Sequence, residues 1–258
     1  MQDDESQPDA GTAPAAAVRS QTDVVVGEIK AMIIRGDLQA GSRLPVEKEL
    51  ATALGVSRSS LREGVRALAV LGVLETRQGD GTYVTSLDAS ILLAPLGFLV
   101  DLQSPDESEN LASVRRVLET EAAARAALRI SDEDVRDAEG VLSSIDSFVD
   151  DPGSAGRDEI MDADIAFHRI IARASGNRAL EALIEAFANR TIRTRTWRAI
   201  TEQGVVPRTH REHHDILRAV RSGDPDRARL AMAVHLVEVE DFIVTHETVT
   251  PEAATPEA

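Results

Sequence analysis

Three arginines, Arg58, Arg62 and Arg66, recur at intervals of four in the stretch GVSRSSLREGVRALAVLG. On a helix that interval lines up guanidinium groups along one edge, where they suit a phosphate or the edge of a guanine. Ser59 and Ser60 set hydroxyls at the start of the same stretch, and a helix N-terminus itself favours anions. A second set of residues suits a metal. Asp164 and His168 are four apart, hence on one helical face and about 6 Å apart along the axis. His213 lies ten residues before Gly223 and His235 twelve after it. If the segments flanking Gly223 pair antiparallel, both imidazoles stand roughly 15 and 18 Å above the connection and can meet one ion. Each set also has a plainer meaning. Arginines on a helix are often a solvated face. His235 shares its face with Ala231, Val239 and Phe242, which also fits a satisfied core group, and Asp164 also fits a carboxylate favoured by a helix dipole. His210 and His214, next to the candidate, fit exposed positions.

The rest of the composition limits what can position these groups. A chain of 258 residues accommodates two modest domains. It has seven aromatic residues (one Trp, one Tyr, five Phe), so cores must be built from Ala, Leu, Val and Ile, which favours helices. No cysteine is present, which excludes disulfides and thiolate metal sites. No run reaches the roughly 20 apolar residues that span a bilayer, and the first seventeen residues lack the basic and apolar regions of a secretion signal. A cytoplasmic protein with no membrane partner is expected. The net charge is -16, yet Val18 to Ser86 carries nine Lys or Arg against eight Asp or Glu, a balance of +1. The two halves therefore differ in electrostatic character, and only the first is suited to phosphate.

The acidic, Ala- and Pro-rich segments 1–17 and 248–258 read as disordered tails. Between them, Val25, Ile29, Met32 and Ile33 fall at helical spacing and Gly36 breaks the pattern. Pro45 opens a second helix from Val46 to Leu54, ended by Gly55. Ser57 caps a third, running to about Leu71. VLETRQGDGTYVTSL then reads as a hairpin around its glycines, with Arg77, Gln78, Gly79 and Gly81 at the turn. This order is a winged helix-turn-helix, whose second short helix enters the major groove. From Asp88 on there is no convincing strand, only amphipathic stretches at about 90–101, 107–129, 132–149, 157–175, 177–200, 207–222 and 224–246. The expected fold is mainly α: an N-terminal winged helix-turn-helix with a small β-hairpin wing, then an all-α antiparallel bundle of six or seven helices. Its expected domains are 18–86, a linker with the first bundle helix at 87–105, and the bundle proper at 106–247.

The stretch RLPVEKELATALGVSRSSLREGVRALAVLGVLETRQGDGTYV resembles the DNA-binding domain of the GntR superfamily of bacterial transcription regulators. That resemblance implies that Lys48, Ser57, Arg58, Ser59, Ser60 and Arg62 meet DNA, with Gln78 and Gly79 at the wing tip. Gly64 departs from the alanine common at its place, a change that lowers helix propensity by up to about 1 kcal/mol. VRRVLETEAAARAAL, DADIAFHRIIARASGN and EHHDILRAVRSGDPDRARLAMAVHL are similar to the C-terminal FCD domain of the FadR subfamily. The likeness implies that Asp164, His168, His213 and His235 hold one divalent transition metal per chain, for which three imidazoles and a carboxylate suit Zn, Ni or Mn. It also implies that Arg115 points into the same cavity and orients a small carboxylate effector. Arg190, Arg193, Arg195 and Arg198 fit an exposed basic face; the alternative is that one or two of them line that pocket. The function implied is a ligand-responsive regulator, by family habit a repressor, that binds double-stranded operator DNA as a homodimer. Two other functions fit the residues less well: a metal-dependent hydrolase or oxygenase, which leaves the N-terminal third without purpose, and a bundle sensing a fatty acyl thioester, which has no use for the ligand quartet.

Overall fold

The structure is a computed structural model that describes residues 20–102, 108–149 and 156–247. Both expected tails, 1–17 and 248–258, lie outside the described residues. Contacts divide the chain after Thr85 into two compact units.

In the first unit, α1 (Gln21–Arg35) starts at a reciprocal capping box between Ser20 and Asp23 and ends at Gly36, whose φ of 84° suits a residue without a side chain. It buries Val25 and Ile29. After α2 (Glu47–Leu54) and α3 (Arg58–Val70) come β1 (Leu74–Arg77) and β2 (Gly81–Val84), paired antiparallel with Leu74 opposite Val84 and Arg77 opposite Gly81. The Ser57 hydroxyl caps α3 by accepting from the Ser60 amide at 3.1 Å. Two features depart from expectation. The α2 helix begins at Glu47, with Val46 as its N-cap, so Pro45 lies outside it. The reason is that the preceding segment joins the sheet: the Gly41 and Leu44 amides donate to the Val84 and Thr82 carbonyls at 2.9 and 2.8 Å. Extended backbone is also what a residue before proline prefers. Gly64 has a packing role. A Cβ built there would stand 2.5 Å from Cγ1 of the fully buried Val25, so its small size lets α3 lie against α1.

The second unit contains, among the described residues, seven α-helices: α4 (Ala89–Asp101), α5 (Ser108–Ala127), α6 (Asp132–Ser143), α7 (Gly156–Ala174), α8 (Arg178–Thr201), α9 (Val205–Arg221) and α10 (Pro225–Glu247). Alanines 123, 126 and 127 on α5 allow close approach of Phe167 and Ile171 of α7, Ile216 and Val220 of α9, and Met232 of α10. Burial of these side chains holds the bundle together. Helix starts carry their own signals. Ser131 and Asp134 form a capping box on α6, Asn177 caps α8, and the Asp224 carboxylate accepts from the Asp226 and Arg227 amides at 3.1 Å, beside Pro225 at the first helical position. The α6 helix stops at Ser143 instead of 149: the Ser144 hydroxyl takes the Val141 carbonyl at 2.7 Å, and a single 3-10 turn (Asp146–Phe148) follows. The start of α9 precedes Pro207 by two residues, after Gly204 at φ 76°. No helix of the described residues is long and apolar enough to cross a membrane.

Candidate nucleic-acid interface and metal centre

On the first unit, Lys48, Arg58, Ser59, Arg62 and Arg66 are all exposed, as are Gln78 and Gly79 in the wing turn. Lys48 stands on α2, and the arginines with Ser59 and Ser60 stand on α3. Arg58 and Arg66 make no ion pair with any described residue. Arg62 differs: its Nε donates to the Glu47 carboxylate of α2 at 2.9 Å, an exposed pair of small energetic weight. The serines are partly committed as well. Ser57 Oγ lies 2.8 and 2.9 Å from the hydroxyls of Ser59 and Ser60, and the Gln21 side chain accepts from the Ser57 amide and the Ser60 hydroxyl, both at 3.1 Å. In the wing, Arg77 lies over the Tyr83 ring at 4.2 Å and bonds Glu75 at 3.0 Å, so its guanidinium is held along the hairpin. Gly79 has φ 75°, a conformation that a side chain would strain.

In the second unit α7, α9 and α10 bring Asp164, His168, His213 and His235 together, with one ligand atom of each lying within 4.8 Å of the others. All four are buried, His235 to 1% exposure. The imidazoles of His213 and His235 stand with centroids 4.7 Å apart, and Phe167 stacks on His213 at 4.7 Å. Asp164 Oδ1 lies 3.5 Å from His213 Nε2 and 3.9 Å from His168 Nε2. Two further carboxylates orient the rings. His168 Nδ1 bonds Glu119, and His235 Nδ1 donates to Glu212 at 2.7 Å. Each bond fixes the proton on Nδ1 and turns the basic Nε2 inward, the arrangement in which a carboxylate tunes a metal-ligating histidine. The buried Nε2 of His168 has no hydrogen-bond partner, a costly state for a polar atom unless a cation meets it. The donor set therefore fits a divalent transition ion.

Burial alone would raise the Glu119 pKa, but Arg115 and His168 outweigh it and hold the carboxyl well below the usual range. Glu212 is shifted the other way, upward, because burial outweighs its neighbouring arginines. Neither Glu119 nor Glu212 was singled out as an orienting group from sequence. A signal for Glu119 existed, since it follows Arg115 by one helical turn.

Arg115 is buried and bonded to Glu119, and with His168 these two line a cavity between α5, α7 and α8. A different cavity, of about 40 Å³, is bounded by Asp164, His213 and His235 under mostly apolar walls, and its arginine is Arg198. Arg115 thus borders the neighbouring cavity, on the His168 side of the quartet, with its guanidinium bonded to Glu119 one turn away. Arg198 is only 4% exposed and bonds Glu202 at 2.8 Å and Glu238 at 3.4 Å. The side chains of Arg190, Arg193 and Arg195 lie outside the described residues.

Comparison with known proteins gives these sites a context. Residues 21–84 match the family described as bacterial regulatory proteins, gntR family, and residues 110–238 match the FCD domain. The HTH-type transcriptional regulator LutR of Bacillus subtilis is 33% identical over 216 residues, 82% of this chain and 96% of that protein. The putative L-lactate dehydrogenase operon regulatory protein of Escherichia coli is 32% identical, with 84% of each chain covered. The solved structure of Streptococcus agalactiae GntR, 29% identical, superposes with a TM-score of 0.55 over 85% of this chain and 99% of its own. These relatives are named as regulators, which sets aside the hydrolase or oxygenase. With that degree of identity along nearly the full length of a known regulator, and both parts of the chain matched, the protein belongs to the GntR family of transcription regulators, with an FCD domain as its C-terminal part.

Proposed function

We propose that the protein is a ligand-responsive regulator that binds operator DNA as a homodimer and senses a small organic acid in its FCD domain, beside a Zn, Ni or Mn ion held by Asp164, His168, His213 and His235. The observation that carries the sensing half is the convergence of four buried ligand atoms within 4.8 Å. When bound, the ion supplies positive charge and coordination positions open to a carboxylate oxygen. The chain's own residues do the rest. Glu119 and Glu212 hold His168 and His235 in the ligating tautomer, Arg115 keeps Glu119 ionised, and Arg198 offers a buried guanidinium to the other end of an acid. The cavity beside the quartet, bordered by Arg198, supports a small acid as the effector. A relative named for an L-lactate dehydrogenase operon supports the same class of effector.

On the DNA side, Lys48, Ser57, Arg58, Ser59, Ser60 and Arg62, with Gln78 and Gly79 in the wing, form the contact surface. Arg58 and Arg66 are available at once, whereas Arg62 exchanges Glu47 for phosphate or base. Self-association is supported by exposed apolar residues on the adjoining helices α5 and α10: Val114, Val117, Leu230, Val234 and Val237. Cross-helix ion pairs from Arg116 to Glu240 and Arg229 to Glu121 tie these two helices together. Repression relieved by the acid is the default polarity, and it requires the acid to bind the two DNA-binding states with different affinity, typically by 1–3 kcal/mol.

Elemental analysis of desalted protein tests the sensing site. At least one ion per chain is expected, and one fewer in a His213→Ala, His235→Ala double variant. Full occupancy in that variant overturns the site. Operator binding measured with and without small carboxylates then tests the coupling.

A further inference from the structure

Five of the six histidines of the chain stand in two groups, and the quartet above uses only three of them. The other two, His210 and His214, are one turn apart on α9, with ring centroids 4.7 Å apart and planes at 88°. Their Nε2 atoms approach to 3.2 Å. Asp146, in the 3-10 turn after α6, places Oδ1 3.0 Å from His210 Nε2. All three ligand atoms fall within 4.8 Å of one another.

His210 Nε2 faces a carboxylate oxygen and a second imidazole nitrogen together. A single proton on it must be shared between the two, and without that proton the oxygen faces a lone pair. A cation meets all three atoms at once. The spacing suits one, because two ligands 2.0–2.1 Å from a tetrahedral ion are roughly 3.3 Å apart, and the two contacts measure 3.2 and 3.0 Å. Imidazole donors with one carboxylate select a transition metal over Mg or Ca, and no cysteine competes for it.

We infer that Asp146, His210 and His214 form a second site for a divalent transition ion, separate from the quartet. Asp146 is 63% exposed and His210 11%, so the open side faces water. Three protein ligands with solvent completing the shell make this the weaker and more exchangeable site. It also touches the effector cavity, which His210 lines. An ion on Nε2 places the His210 proton on Nδ1, a buried atom with no hydrogen-bond partner, and turns that nitrogen into a donor. This last step rests on the sensing function proposed above; the ion site does not.

The test is equilibrium dialysis of the full chain against zinc chloride, with bound ions counted by elemental analysis. Two ions per chain are expected for the wild type. One is expected for His210→Gln with His214→Gln, and one, the weaker, for His213→Ala with His235→Ala. A wild type that binds only one ion, or a His210 and His214 variant that still binds two, overturns the second site. A His213 and His235 variant that still binds two would instead overturn the quartet. Should the glutamine pair lose its helical circular dichroism, Asp146→Asn decides. The zinc concentration that half-fills the second site then rises at least tenfold, and an unchanged value refutes the site.

Discussion

Two arginines of the first unit and two of the second are held in opposite ways. On α3, Arg58 and Arg66 stand in solvent with no described ion-pair partner, whereas in the bundle Arg115 and Arg198 are 3% and 4% exposed and tied to carboxylates. A charge in water is screened and costs little to keep, so it can wait for a partner that arrives by diffusion. A buried charge must be matched within the protein, and removing its partner leaves it stranded. In the first unit the charge is laid out by residue type and spacing along one helix. In the second it depends on the convergence of several helices and on the carboxylates behind the histidines.

The contrast is broken or sharpened first by Glu119→Ala, which leaves Arg115 buried without that carboxylate. A loss of about 3–5 kcal/mol is expected in urea denaturation, and a loss below about 1 kcal/mol would mean that Arg115 is effectively solvated. Arg58→Ala should do the reverse. Stability stays within about 0.5 kcal/mol, while operator binding weakens by about 1–3 kcal/mol if the residue reads a base; unchanged binding would remove α3 from the interface. Gly64→Ala tests whether the first unit also depends on close packing. Despite alanine's better helix propensity, overpacking against Val25 should destabilise the unit by about 1–3 kcal/mol, and a stabilised variant would show that α1 and α3 can part at little cost. The smallest effect concerns Asp134. The Ser131 hydroxyl, with Arg173 beside it, outweighs partial burial and holds that carboxyl below its ordinary pKa. Such a group stabilises the fold above the unfolded-state pKa and ceases to do so as pH falls through the folded one. Asp134→Asn should therefore flatten the acid side of the stability profile of the bundle, and a profile identical to wild type would refute the linkage.

How much was legible follows from the same division. The seven bundle helices could be read because breakers and caps are local: Ser131 with Asp134, Gly223 with Asp224 and Pro225. The helix-turn-helix was legible because its apolar and cationic faces repeat on one short helix. The wing was only partly legible, since the 41–44 segment joins β2 through backbone bonds that carry no side-chain signature. Gly64 appeared to be a flaw in a helix when seen alone, because the reason for it, Val25, lies 39 residues away. The quartet was legible from two spacings and the likeness to a family. Glu212 was not, because its partnership with His235 exists only after α9 and α10 pair. Arg198 could not be told from its neighbours on α8, as the choice among them depends on which way the helix faces the cavity.

One element spans the bundle from the cavity to its entry. At one end of α8, Arg198 borders the cavity, and at the other Arg178 bonds Asp88 at 3.2 Å, three residues beyond the end of the first unit. Twenty residues of helix make a rod of about 30 Å between those two arginines. A pivot of only about 2° at the cavity end sweeps the far end through about 1 Å, enough to loosen a hydrogen bond. A small displacement of the helix at Arg198 would thus be magnified at the contact between Arg178 and Asp88.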